Sequence, residues 1–214
     1  MSKLLHIDTS PLEGSISHEL TKVFAADWKT QHSEGEVIYR NLAVVHPAPI
    51  DAHWIGAAYT PPDARTPEQN SILAISDDLV QELEEAEEYV FGVAMHNFSI
   101  PSTLKLWIDQ VVRTGRTFAY GEGGPKGLLL EKRATVIIAS GGVYPPDTPA
   151  AAFNHVDPYL KTILGFIGIT EVQFISAAGV AQMSAGRVDR ETFLRPSLEL
   201  VHAAAAASHS VGAL

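Results

Sequence analysis

Five short apolar segments, each followed by a loop and in time by a helical stretch, predict an α/β fold with a five-stranded parallel sheet and helices on both faces. Two further observations narrow this. The strand count stops at five, and no GxGxxG fingerprint follows any strand. Both favour strand order 2-1-3-4-5 over the six-stranded dinucleotide-binding arrangement. At 214 residues the chain fits a single domain, residues 1–214.

The elements follow in order. Lys3 to Thr9, KLLHIDT, is a buried strand that stops at a Ser, Pro and Gly cluster. From Ser17, the spacing of Leu20, Val23, Phe24 and Trp28 gives one apolar helical face. Glu36 to Leu42 is the second strand. Ala43 to Arg65 carries Pro47, Pro49, Pro61 and Pro62, too many for a long helix, and is too long for a plain connection. Thr66, Pro67 and Gln69 form a capping-box start for a helix whose apolar face runs from Ile72 to Leu83. Glu84, Glu85, Glu87 and Glu88 follow and read as a solvated surface.

Tyr89 to Ala94 is the third strand, and Pro101 starts a helix carrying Leu104, Trp107, Ile108, Val111 and Val112. Gly115 to Gly127 holds five glycines and one proline, the composition of an irregular excursion or hairpin. Ala134 to Ala139 is the fourth strand. A helix over Asp157 to Phe166, a strand over Val172 to Ala177 and a helix over Asp189 to Ala206 complete the series, and the final SHSVGAL reads as frayed. This is the flavodoxin-like succession.

Composition removes several classes of function. There are 15 Lys and Arg against 25 Asp and Glu, a formal net charge of −10, and no cysteine. Thiolate nucleophiles, CxxC redox pairs, Cys-ligated zinc and iron–sulfur clusters are thereby excluded. The acidic balance argues against nucleic acid or an anionic membrane as partner, since both need clustered Lys and Arg. The apolar runs fall far short of the roughly 20 residues of a membrane span. MSKLLHIDTS has no hydrophobic signal core. A cytoplasmic protein is expected.

In open α/β sheets, ligands bind beyond the carboxyl ends of the strands where the strand order reverses, here between the loops after strands one and three. The first loop, Ser10 to Ser17, sets three hydroxyls and Gly14 at a helix N-terminus, where free amides favour a phosphate. Read alone, its serines serve equally as helix caps. It is not a P-loop, because GxxxxGK[ST] is absent. After strand three, Met95, His96, Asn97 and Phe98 combine groups that suit a ring ligand, although an ordinary strand-end turn is the simpler reading of that loop by itself. After strand four, Ser140, Gly141 and Gly142, followed by Val143 and Tyr144, permit close backbone approach and positive φ, or form a plain turn.

Taken together, these segments resemble the FMN-dependent NADH:quinone oxidoreductase and azoreductase family of the flavodoxin-like superfamily. The resemblance runs through nearly the whole chain. It is carried by Ser10, Ser15 and Ser17, RNL at Arg40, RTPEQNSILAISDDL from Arg65, and MHNFSIPSTLKLWIDQVVRTGRTF from Met95. GPKGL at Gly124, SGGVY at Ser140 and YLKTILGFIGI at Tyr159 complete it.

The resemblance implies that Ser10, Ser15, Ile16 and Ser17 hold the FMN phosphate. It places Met95, His96, Asn97 and Phe98 along the isoalloxazine ring. Ser140, Gly141 and Gly142 meet the pyrimidine side, with Tyr144 close by. The chain departs from the family pattern at His96, where tyrosine is usual, at Ala94 in place of proline, and at Ser140, where arginine is frequent. These departures bear on flavin potential and substrate preference.

The resemblance further implies two-electron transfer from NADH or NADPH to quinones and azo compounds through one shared slot, hence ping-pong kinetics, in a homodimer. No protein group acts as catalytic acid, base or nucleophile, and His96 is the one candidate modulator. Phe118 and Tyr120 are candidate walls for a planar substrate, or surface-loop residues. The alternative is a non-catalytic FMN electron-transfer module of flavodoxin type. A flavin-free binding domain is a third reading.

Nine histidines, His6, His18, His32, His46, His53, His96, His155, His202 and His209, include no HExxH and no pair three to five residues apart. A metal site is therefore not expected. No GxSxG elbow supports a serine hydrolase.

Overall fold

The computed structural model describes residues 2–208; of the end expected to fray, Ser208 is instead held as the C-cap of the last helix, and His209 and the residues after it lie outside the described ones. β1 (Lys3–Asp8), β2 (Glu36–Asn41), β3 (Glu88–Ala94), β6 (Arg133–Ser140) and β7 (Glu171–Ala178) form the sheet. Its order is β2-β1-β3-β6-β7, and every neighbouring pair is parallel. The labels differ from the 2-1-3-4-5 expected because β4 (Phe118–Gly121) and β5 (Gly124–Gly127) intervene in the chain. They pair with each other, antiparallel, as a hairpin outside the sheet.

Alternation along the strands builds two cores. Leu5 and Ile7 of β1, Tyr89, Phe91 and Val93 of β3, and Val136 and Ile138 of β6 point to one face. There they meet α3 (Pro67–Glu85), α4 (Ser102–Val111) and α5 (Val156–Phe166) through Leu79, Leu83, Leu104, Trp107, Leu160 and Leu164. Leu4, Val90, Ile137 and Ile175 point to the other face, against α1 (Ile16–Gln31) and α7 (Arg190–Ala207). β1, β3 and β6, buried on both sides, read as continuous apolar runs.

The capping box forms as expected: Gln69 N donates to Thr66 Oγ1 at 3.2 Å, and Thr66 N donates to Gln69 Oε1 at 3.0 Å. The proline-rich segment contains a short helix, α2 (Ala52–Tyr59), started by Asp51, whose side chain accepts from Trp54 N at 2.8 Å. It packs on α3 around Trp54, Ala57 and Leu73. A second short helix, α6 (Val180–Ser184), follows Gly179, which takes φ +90°.

One expectation is corrected. Glu88 is not part of a solvated run. It is buried at the start of β3 and accepts from Trp28 Nε1 at 2.8 Å and from Ser208 Oγ at 2.5 Å. Glu84 and Glu85 do lie at the surface, paired with Arg116 and Lys3. Among the described residues, no helix is long and apolar enough to cross a membrane.

Candidate functional site

The order β2-β1-β3 puts the reversal point between β1 and β3, and Thr9 ties their carboxyl ends together. Its amide donates to the Gly92 carbonyl at 3.1 Å and its hydroxyl to the same oxygen at 2.8 Å. Beyond it the chain turns through Gly14, at φ +71°, into α1.

Ser10, Ser15, Ile16 and Ser17 are all buried around that turn. Ser15 occupies the N-cap position, yet among the described residues no side chain caps α1. Its hydroxyl lies instead 3.2 Å from Ser17 Oγ. Of the two readings of these serines, the capping one is not what the geometry displays. Two facing hydroxyls beside the uncapped amides of a 16-residue helix are groups that can donate to an anion.

The loop after β3 is a tight turn. His96 and Ser99 exchange both backbone hydrogen bonds at 3.0 Å, and between them Asn97 (φ 49°) and Phe98 (φ 70°) are both left-handed. Two consecutive positive φ values belong to the mirror-image turns that usually take Gly or Asn. A phenylalanine there is strained, and strain of this kind concentrates at functional sites. The turn sets the Asn97 and His96 side chains outward and leaves Phe98 45% exposed. Phe98 packs against Phe153 with ring centroids 5.1 Å apart, and edge-on against Tyr144 at 6.3 Å. Met95 is half-buried against the core.

The loop after β6 closes the group. Ser140 Oγ donates to the Gly142 carbonyl at 2.9 Å, and Gly179 N is shared between the Ser140 and Gly142 carbonyls at 2.9 and 3.1 Å. Neither Gly141 nor Gly142 takes a positive φ; the left-handed glycine here is Gly179. What glycine supplies instead is space: a Cβ on Gly142 would lie 2.8 Å from the Tyr144 hydroxyl, and Gly141 faces open space. His155 N donates to the Phe98 carbonyl at 3.0 Å, which locks the loops after β3 and β6 together.

The structure thus gathers the residues of all three predicted loops at one end of the sheet. It does not bring Phe118 and Tyr120 to them. Phe118 is buried on β4 against Phe166, with centroids 4.7 Å apart, and lines a different cavity of about 400 Å³ with Trp54, Tyr59 and Arg113. Tyr120 stands exposed beside it. A further cavity of about 500 Å³, beneath Tyr144, lies between Met95, Ser140 and the Asn154–Asp157 segment.

Sequence reasoning missed the group under the first loop. Asp8, 1% exposed, ends β1. Its Oδ2 lies 2.5 Å from His18 Nδ1 and accepts from the Tyr39 hydroxyl at 3.1 Å, and its Oδ1 accepts from Thr21 Oγ1 at 2.8 Å. His6 Nε2 is 3.2 Å from Oδ2 without hydrogen-bond geometry. The absent side chain of Gly92 makes room, since a Cβ there would collide with Asp8 Oδ1. Burial pushes the Asp8 carboxyl up, but His6 and then Thr21 and His18 outweigh it and hold the carboxyl below the usual carboxylate range. Burial, then the Asp8 charge, raise the Tyr39 phenol to about 12. His6 and His18 are 12 residues apart, so no spacing rule joins them; only the β1–α1 packing does. Among the described residues, no group of three or more His, Cys, Asp or Glu is arranged to hold a metal ion.

The flavodoxin-like fold family profile matches residues 2–195. The chain is 56% identical over 206 residues to an FMN-dependent NADH:quinone oxidoreductase of Acidobacterium capsulatum, covering 96% of this chain and 100% of that one. It is 44% identical to FMN-dependent NADH:quinone oxidoreductase 3 of Burkholderia lata, covering 95% and 99%. Among solved structures, an FMN-dependent NADH-azoreductase from Bacillus anthracis in complex with FMN superposes with TM-score 0.86 at 30% identity, covering 98% of this chain and all of that one.

Proposed function

The chain belongs to the FMN-dependent NADH:quinone oxidoreductase and azoreductase family of flavodoxin-like fold, and on that premise we propose that its three-loop crevice holds FMN and passes two electrons from NADH to quinones and azo compounds. The observation that carries this reading is the gathering of an uncapped helix N-terminus, a left-handed turn and a glycine-opened loop at the carboxyl ends of β1, β3 and β6.

The donor set fits the group. Ser15 and Ser17, with the first-turn amides from Ile16 onward, hold the phosphate, and Ser10 borders it. Met95 and Phe98 cover the ring, and Tyr144 borders it through its contact with Phe98. Asn97 and the backbone of Ser140, Gly141 and Gly142 offer donors to the polar edge of the ring, where they favour its more negatively charged state. His96, exposed on the same turn, is the candidate modulator of that edge. Bound FMN supplies the two-electron redox chemistry, and the chain supplies position and electrostatics.

Donor and acceptor use one opening in turn, a ping-pong order. The chain acts as a cytoplasmic homodimer. Supporting the dimer is the apolar surface left open within one chain around Ile55 and Tyr59, beside the cavity that Phe118 lines. A partner there would place the mouth of the crevice between two subunits and give Phe118 and Tyr120 a role as substrate walls.

The test is an anaerobic NADH titration of the FMN-loaded protein, followed at the visible flavin band. Stoichiometric bleaching that a quinone reverses is the expected result. Bound flavin that NADH does not bleach would mean an electron carrier, and failure to retain FMN would defeat the assignment of all three loops.

A further inference from the structure

Of the eight phenylalanines, Phe98 and Phe153 alone stand exposed among the described residues, at 45% and 50%, and they pack on each other. Their ring centroids lie 5.1 Å apart with the planes tilted by 33°. Tyr144 meets Phe98 edge-on, its plane 84° from that of Phe98. Two neighbouring rings left half open to water form an apolar surface that the single chain does not use.

Phe153 is held firmly in this place. It ends a short 3₁₀ helix, Pro149–Phe153, and both residues after it are tied down. Asn154 N donates to the Ala151 carbonyl at 3.0 Å, and Asn154 Oδ1 accepts from Val156 N at 3.1 Å. Asn154 Nδ2 donates to Asp157 Oδ1 at 2.8 Å, which fixes the start of α5. His155 N donates to the Phe98 carbonyl, so one bond holds the left-handed Phe98 and sets Phe153 beside it. Pro145, Pro146 and Pro149 stiffen the approach to this segment. A rigid aromatic pair offers a flat apolar surface with little ordering cost on binding.

Building on the FMN reading above, in which Phe98 covers the flavin ring, we propose that Phe153 is a specificity-determining residue for the electron acceptor. An acceptor ring over the flavin lies beside Phe98, and a second ring joined to it extends onto Phe153. Acceptors with two aromatic rings, whether fused quinones or azo compounds, thereby gain a contact that one-ring quinones lack. Nicotinamide is a single ring and is equivalent to a small quinone in this respect. The contact acts on binding; the electrons follow the same course with every acceptor.

The experiment uses the FMN-loaded protein, reduced with NADH and mixed anaerobically with acceptor in a stopped-flow instrument. The second-order rate of flavin reoxidation is compared for para-benzoquinone and a fused two-ring naphthoquinone. In Phe153→Ala that rate should fall about tenfold for the naphthoquinone, the loss of one aromatic contact and its buried area, and no more than about twofold for para-benzoquinone. The loss should lie in apparent acceptor affinity, with the limiting rate held. Phe153→Tyr should recover nearly all of the naphthoquinone rate. Phe153→Leu, which keeps apolar bulk without the flat ring, should recover part of it, and both stay informative if the alanine variant fails to fold.

Equal losses for the two quinones are what a merely structural role would give, and they overturn the proposal. An unchanged naphthoquinone rate in Phe153→Ala does so as well. Weakened self-association of Phe153→Ala in sedimentation, with both rates intact, would assign the pair to a contact between subunits and likewise overturns it. Wild-type FMN that NADH does not bleach is the separate result that removes the enzyme reading, and this inference with it.

Discussion

Thr9 and Gly92 are joined twice, through the Thr9 amide at 3.1 Å and the Thr9 hydroxyl at 2.8 Å, both to the Gly92 carbonyl. This double link extends the β1–β3 ladder and ties the two strand ends together just where the two loops diverge. Thr9→Val keeps the shape and the amide bond but loses the hydroxyl. It should cost about 1 kcal/mol of stability and weaken FMN binding several-fold. Chemical denaturation and fluorescence titration check the two effects separately.

Ser15 faces Ser17 and does not cap its helix, so its two conceivable roles come apart under mutation. Ser15→Ala should leave the unfolding free energy of the flavin-free protein within about 0.5 kcal/mol, because no cap is lost. FMN affinity should fall about tenfold or more, the value of a hydrogen bond to a charged group, with riboflavin affinity unchanged. A loss of stability without a loss of FMN affinity would return this serine to a capping role.

Asn97 tolerates φ 49° where most residues do not. Asn97→Val should therefore destabilise the protein by about 1–3 kcal/mol and open the turn. Asn97→Gly keeps the backbone and removes only the amide, so thermal stability should hold while the flavin reduction potential shifts to a more negative value. Equal melting-temperature losses in both variants would show that the side chain matters to folding and not to the ring.

Burial raises the Glu88 carboxyl above the ordinary carboxylate range, against the hydrogen bonds from Ser208 and Trp28. A carboxyl raised in the folded state adds stability below its unfolded pKa, and that contribution is lost as pH rises through the folded value. Glu88→Gln keeps an acceptor for Trp28 and removes the buried charge. Its melting temperature relative to wild type should be most favourable near about pH 8 and least so near about pH 4. A difference independent of pH would mean that the charge carries no cost here.

The inner strands were legible because burial on both faces makes β1, β3 and β6 apolar runs, and Thr66 with Gln69 announced α3 through local chemistry alone. The serines of the first loop, the Met95–Phe98 turn and the Ser140–Gly142 loop were legible as segments. What they do was not. The left-handed pair Asn97–Phe98 has no glycine to signal it, and the Gly141–Gly142 pair suggests positive φ but uses its glycines for room beside Tyr144. α2 escaped because its eight residues include Gly56 and lie among prolines, with Asp51 as the single cue. Glu88 was read with its neighbours as surface, because the indole that buries it comes from Trp28, 60 residues earlier. Asp8, His6, His18 and Tyr39 come from three elements, and no linear pattern carries their meeting.

The three loops of the crevice leave from β1, β3 and β6, the inner strands of the sheet, while β2 and β7 occupy its edges. Amide hydrogens of the inner strands should exchange with deuterated solvent only by global opening, whereas those of the edges should exchange through local excursions of lower free energy. The edges can therefore fray and re-form without altering the distance between Ser15, Asn97 and Gly142. The crevice is anchored in the last part of the molecule to come apart, and its shape should persist up to the denaturant concentration at which the whole domain unfolds.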